Sequence, residues 1–216
     1  MNTNIKFKKA NAFRISQEKL RNKALSKGVN LVAPETIFLN KDTVFGKNVT
    51  VEPYVVFGPK VKIGDNSYIK SFSHIEGTII EKNVIIGPYA RLREGTILKS
   101  YTKIGNFVET KKTSINSKSK VNHLSYIGDT NIGKNANIGA GTITCNFNGI
   151  KKFKTNISDN VFVGSNSSLI APVKLERNSV VGAGSVITKN VKRNSLGISR
   201  PIQIGVKNYK RKNKKK

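Results

Sequence analysis

A chain of 216 residues that is 37% hydrophobic, lacks Trp and has 10 Phe and 6 Tyr suits a single domain with a narrow core rather than a thick globular one. The lone Cys145 excludes an internal disulfide and fits a reducing compartment, and no apolar run approaches the roughly 18 residues of a membrane span. The net charge of +27 draws polyanions in general, but it follows a Lys-rich bias with no aromatic interleaving, so nucleic acid is not the expected partner.

Residues 1–30 are a basic segment with no apolar stretch suited to export. Within it, "RISQEKLRNKALSK" (residues 14–27) places Leu20, Ala24 and Leu25 at helical spacing, with Ser16 as N-cap and Gly28 as stop. This short helix is expected to cover the open end of the repetitive region beyond it.

Residues 31–206 carry a six-residue repeat. Aliphatic or aromatic residues recur at Phe57, Ile63, Ile69, Ile75, then at Ile86, Leu92, Leu98, Ile104, then at Ile132 and Ile138. A last block runs Ile157, Val163, Leu169, Leu175, Val181, Ile187. Four positions after these sit small or β-branched residues such as Ala90, Thr96, Val161, Ser167 and Ser185. A period of six fits neither a helix nor simple strand alternation. It fits a parallel β-solenoid in which three hexads close one triangular coil, with about eight coils between residues 37 and 191 and coils about 4.8 Å apart. The aliphatic phase is lost between Ile104 and Ile127, through "TKKTSINSKSK", and again between Ile138 and Ile157, through "CNFNGIKKFKTN". Interruptions of a solenoid map to binding loops, so both are expected to flank a site. Residues 207–216 are a polybasic, disordered tail by composition.

At the first interruption stands His123, one of only 2 His. An imidazole is the side chain that titrates near neutrality and suits a general base; taken alone, it could equally satisfy a loop backbone. His74 sits in the regular hexad "IKSFSH" and is expected to be structural. Two His are too few for the three-His metal site of a gamma-type carbonic anhydrase, and no metal is expected.

The segments "GPYARLREG", "IGNFVETKK", "VNHLSYIGD", "NIGAGTITCNFNG", "KFKTNI", "VFVGSNSSLIAPV" and "GISR" appear in that order. Together, over roughly residues 20–205, they closely resemble the acetyltransferase half of the bacterial bifunctional enzyme of UDP-N-acetylglucosamine synthesis. That resemblance implies a left-handed parallel β-helix, acetyl-CoA as co-substrate, glucosamine-1-phosphate as acceptor, a homotrimer and a bacterial cytoplasm. The uridylyltransferase half of that enzyme has no counterpart here, so uridylyl transfer and its magnesium are not expected.

By the same resemblance His123 is the catalytic base. Glu109 suits an orienter of the imidazole or a partner of the substrate ammonium, and equally a solvated face residue. Arg93, Lys111 and Tyr126 hold the sugar phosphate, and Asn137 and Asn146 contact the amino sugar. Ala140, Phe147, Ser165, Ala183 and Arg200 are implied as coenzyme A contacts, with Lys152 a weaker candidate. Phe147 stands where the family commonly has Tyr, so the ring is kept without its hydroxyl. Gly139, Ala140 and Gly141 leave the backbone open to a ligand, and the Ala140 N–H suits an oxyanion. These residues spread over several coils and require neighbouring prisms to meet at one ligand. Cys145 is expected to be a small filler rather than a nucleophile. Two other readings stay open at this level: a hexapeptide acyltransferase with a different acceptor, and a non-catalytic scaffold whose basic termini hold a partner.

Overall fold

A computed structural model of the chain describes residues 3–210. One helix, α1 (Thr3–Ser26), leads into strands of two to four residues that wind into three parallel sheets. Face 1 has ten strands, from Asn30–Leu31 to Leu196–Gly197; face 2 has eight, from Val56–Phe57 to Val186–Ile187; face 3 has eight, from Val44–Phe45 to Val173–Leu175. Each coil visits faces 1, 2 and 3 in turn, so the predicted triangular solenoid is observed, with about nine turns rather than about eight. The repeat makes the core: Ile69, Ile86, Ile104 and Val121 on face 1 stack inward at 0% exposure, as do Leu98 and Ile115 on face 3. The small residues four places on are also buried, among them Ala90, Thr96, Ser167 and Ser185.

The helix differs from the expectation. Among the described residues it begins at Thr3 rather than at residue 14, and Ser16 lies inside it instead of capping it. Residues 3–13 contain neither Gly nor Pro, and the Lys and Ala among them favour helix, so the capping residue at Ser16 does not start it. The stop is where it was expected. Gly28 takes φ +80° and donates to Leu25 O at 2.9 Å, while Val29 N–H reaches Ala24 O at 3.2 Å, the paired bonds of a Schellman ending. The C-terminal half of α1 covers the first coil. The Gln17 amide donates to Leu39 O (2.8 Å) and accepts from Leu39 N–H (2.9 Å), satisfying both backbone groups of an otherwise free edge. Phe13 stacks on Phe38 at 6.2 Å.

The first predicted interruption is not one. From Ile104 to Ile127 the winding continues, with Ile115 and Val121 inward and Thr110 in the place of an aliphatic residue, paired with Leu92 and Ile127 in the neighbouring coils. Two effects hid it from the sequence. Thr110 is polar yet fully buried, its hydroxyl satisfied by Thr96 at 3.0 Å. The side from Thr110 to Ile115 has five residues instead of six, as does that from Ile127 to Ile132. His123 therefore ends a regular strand, Lys120–His123, on face 1. The second interruption is real: residues 146–154 leave the coil between faces 2 and 3, pinned by a Phe147–Lys152 bridge.

Two edges of the prism carry side-chain ladders. Among the described residues, nine of the twenty non-glycine residues with left-handed φ are Asn, a residue that tolerates this conformation well. Most of them line the edge between faces 3 and 1. The edge between faces 1 and 2 instead carries Tyr54, Phe72, Tyr89 and Phe107, stacked at 5.0, 4.8 and 5.1 Å, with Leu124 in the next coil.

Glycines after the inward residue answer to the close approach of coils. A Cβ at Gly105 would lie 1.8 Å from Asn122 O. Gly105→Ala is accordingly expected to destabilise the fold by about 3 kcal/mol, seen as a lowered melting temperature, because backbone has to shift. Among the described residues no helix is long and apolar enough to cross a membrane. Residues 198–210 run exposed beyond the last strand; residues 1–2 and 211–216, which include most of the polybasic tail, lie outside the described residues.

Candidate functional site

Register brings together residues that are far apart in the chain. On face 1, beside the edge with face 2, Asn106 pairs with His123. One coil on, Val121 pairs with Ile138, which sets Ala140 above His123. The pairings Ile138–Val163 and Val163–Val181 then set Ser165 above Ala140 and Ala183 above Ser165. The next pairing, Val181–Gly197, brings the chain back just before Arg200. His123, Ala140, Ser165 and Ala183 thus form one column, spanning roughly 14 Å at the strand spacing. Four of the residues singled out from the sequence line a single track, which nothing in their numbering displays.

The imidazole at the foot of this track is exposed, and its Nδ1 lies 2.6 Å from Asn106 Oδ1. An amide oxygen only accepts, so Nδ1 carries the hydrogen, and in the neutral ring Nε2 is the nitrogen with the lone pair, the tautomer of a base. Ser125 Oγ donates to His123 O at 2.8 Å and fixes the following turn. Among the described residues Ala140 N–H enters none of the backbone hydrogen bonds that tie these coils, whereas Gly139 and Gly141 both do.

Face 2 holds a second cluster. Its strands set Arg93 opposite Lys111, and Glu109 opposite Tyr126. Arg93 Nη1 donates to Glu109 Oε1 at 2.7 Å, both side chains about a third exposed. Glu109 is therefore the partner of Arg93, while the imidazole is held by Asn106, a residue the sequence reading passed over. Asn106 lies 17 residues before His123, one coil down, and is readable once coil length is known. Lys152, from the excursion, stands next to Lys111; its ammonium, and after it Arg93, hold the Lys111 pKa below the usual lysine range. Lys111 and Lys152, beside an Arg93 that is already paired with Glu109, leave a surplus of positive charge suited to an oxyanion such as a phosphate ester.

Tyr126 and Asn146 close over Gly128, where a Cβ would come within 2.5 Å of the Tyr126 hydroxyl and 2.8 Å of the Asn146 amide nitrogen. The Asn146 amide donates to Asp129, a second residue the sequence reading missed. Asn137 is not brought to His123: it lies at the far edge of face 1, opposite Lys120. Phe147 projects from the excursion, largely exposed. Cys145 is half-buried, and burial pushes its thiol pKa up, which disfavours a thiolate. Burial, then the Arg91 charge, pushes the His74 pKa down on face 2.

Residues 42–77 match the family described as bacterial transferase hexapeptide (six repeats), and residues 154–189 match the hexapeptide repeat of succinyl-transferase. The chain is 55% identical over 200 residues to the bifunctional protein GlmU of Nitrobacter hamburgensis, covering 93% of this chain and 44% of that one. Against the bifunctional protein GlmU of Paramagnetospirillum magneticum the identity is 45% over 193 residues, covering 89% and 43%. The chain carries bacterial transferase hexapeptide repeats and is related to part of GlmU. It spans less than half the length of these GlmU relatives. Hexapeptide repeats fit the expected left-handed winding. The fold is shared with LpxA from Acinetobacter baumannii, at a TM-score of 0.61 and 19% identity over 79% of this chain and 71% of that one. It is shared too with the UDP-N-acetylglucosamine acyltransferase from Campylobacter jejuni, at 0.56 and 15% over 79% and 71%. At such identities these two speak for the fold alone.

Proposed function

We propose that the chain is a glucosamine-1-phosphate N-acetyltransferase of UDP-N-acetylglucosamine synthesis, working in the bacterial cytoplasm as a homotrimer. The observation that carries this reading is the His123–Asn106 pair at the foot of the Ala140–Ser165–Ala183 track. Acetyl-CoA lies along that track with its thioester at the lower end and its phosphates towards Arg200. His123 Nε2 takes a proton from the sugar amine, which reacts in its neutral form, as nitrogen attacks the thioester carbon. The oxyanion is met by the Ala140 N–H, and the C–S bond then breaks to release the coenzyme thiolate, which recovers a proton from the imidazolium or from water. Direct transfer is favoured over an acyl-cysteine because burial keeps the Cys145 thiol protonated.

The phosphate of the acceptor belongs to Arg93, Lys111 and Lys152, and Tyr126 adds a hydroxyl. These lie on face 2, round an edge from His123 on face 1, so one prism does not surround one acceptor. A neighbouring copy completes the site, which is why a closed trimer is part of the proposal. Thiol release from acetyl-CoA in the presence of glucosamine-1-phosphate, with glucosamine and other amines as alternative acceptors, tests it. Arg93→Ala is expected to raise KM for the sugar phosphate by about 10- to 100-fold, the cost of losing one charged hydrogen bond, and to leave KM for acetyl-CoA nearly unchanged. The reverse pattern would exchange the two subsites.

A further inference from the structure

The edge between faces 3 and 1 is built from Asn side chains in left-handed backbone, one per coil: Asn48, Asn66 and Asn83 below, and Asn135, Asn160, Asn178 and Asn194 above. They bond from coil to coil, Asn48 to Asn66 at 3.3 Å, Asn135 to Asn160 at 3.3 Å, Asn160 to Asn178 at 3.0 Å and Asn178 to Asn194 at 3.0 Å. The ladder is broken at two successive coils, where Tyr101 (φ 65°) and Lys118 (φ 64°) replace Asn. A Tyr or a Lys in this conformation costs backbone energy that Asn largely avoids, and here each also forgoes the ladder bond.

What the two residues make is a cleft. Tyr101, Lys118, Lys120, Asn135, Ala136 and Asn137 line a hollow of about 480 Å³. Tyr101 is 54% exposed. Unlike the four rings on the edge between faces 1 and 2, it has no aromatic partner among the described residues. Lys103 is in register with Lys120 on the adjoining strand. Among the described residues neither of them nor Lys118 enters an ion pair or a side-chain hydrogen bond. The Glu81 carboxylate is engaged by Lys99 at 2.9 Å and by Ser100.

We propose that this edge binds a nucleoside diphosphate, its base stacked on Tyr101 and its phosphates on Lys118, Lys120 and Lys103. One free aromatic face beside unpaired ammoniums is the arrangement that holds a base next to its phosphates. A nucleic acid strand would want further rings in line, and this edge has only one. The site is separate from the His123 track, at the opposite border of face 1, and uses neither Arg93 nor Arg200.

The test is calorimetric titration of the full chain with UDP, with ADP and with inorganic pyrophosphate, repeated on Tyr101→Asn and on the Tyr101→Asn/Lys118→Asn double variant. Both substitutions restore the residue that the other coils carry, so the fold is expected to hold. Support is binding of a nucleoside diphosphate that weakens about tenfold in Tyr101→Asn, and further in the double variant, with thiol-release kinetics unchanged. No binding, equal binding by wild type and double variant, or pyrophosphate binding as tightly as both nucleotides would each overturn the proposal. Acetyl transfer is read in a separate assay, so its failure would count against the acetyltransferase reading and not against this one.

Discussion

His123→Ala is expected to lower kcat for acetyl transfer by about 10²- to 10⁴-fold, the range of a positioned general base, with both KM values within a few fold of wild type. The reason is geometric. The imidazole stands exposed at the end of a strand, its Nδ1 held by Asn106 Oδ1 at 2.6 Å. Removing the ring leaves the Ala140 N–H and the cations of face 2 in place, so binding survives while proton removal does not. In the same thiol-release assay Asn106→Ala is expected to give a smaller fall in kcat, about tenfold, because the ring remains but its tautomer and direction are no longer fixed. If His123→Ala retained wild-type kcat, the base would have to be sought elsewhere on the track.

The architecture was legible because a wedge every sixth residue has few geometric solutions. What the sequence hid was any coil whose side is five residues long or whose inward residue is a hydroxyl. Thr110 meets both conditions, and it made an unbroken coil look like a loop. The site was legible residue by residue but not as a shape. Ala140, Ser165 and Ala183 are 43 positions apart at the extremes and stand in one column only because the excursion at 146–154 is taken out of register before the next coil. Lys152 was expected with the coenzyme phosphates and stands instead beside Lys111, since where an excursion folds back depends on contacts such as the Phe147–Lys152 bridge that no period encodes. The start of α1 was missed for an opposite reason. Ser16 is a sound capping residue in isolation, but a helix former on its N-terminal side keeps the backbone helical regardless.

The aromatic ladder went unread as well, because Tyr54, Phe72, Tyr89 and Phe107 occupy left-handed corners where Asn or Gly is the usual choice. Its exposure makes the other large prediction. The double variant Tyr89→Asp/Phe107→Asp is expected to turn the proposed trimer into a folded monomer by light scattering and to abolish acetyl transfer. Each ring is about half exposed (45% for Tyr89, 54% for Phe107), so the prism core does not depend on them and the β signal in circular dichroism should persist. The stack, continued by Leu124, makes an apolar seam along the edge that divides the His123 track from the Arg93 cluster. A copy seated against that seam brings its own face 2 towards the His123 of its neighbour, and repeating the contact about a threefold axis leaves no seam uncovered. Two carboxylates in the stack would have to be desolvated for the copies to meet, which costs more than removal of the rings alone. Loss of the trimer with activity intact would mean that one prism supplies both subsites. A trimer that survives the two carboxylates would move the seam to another edge.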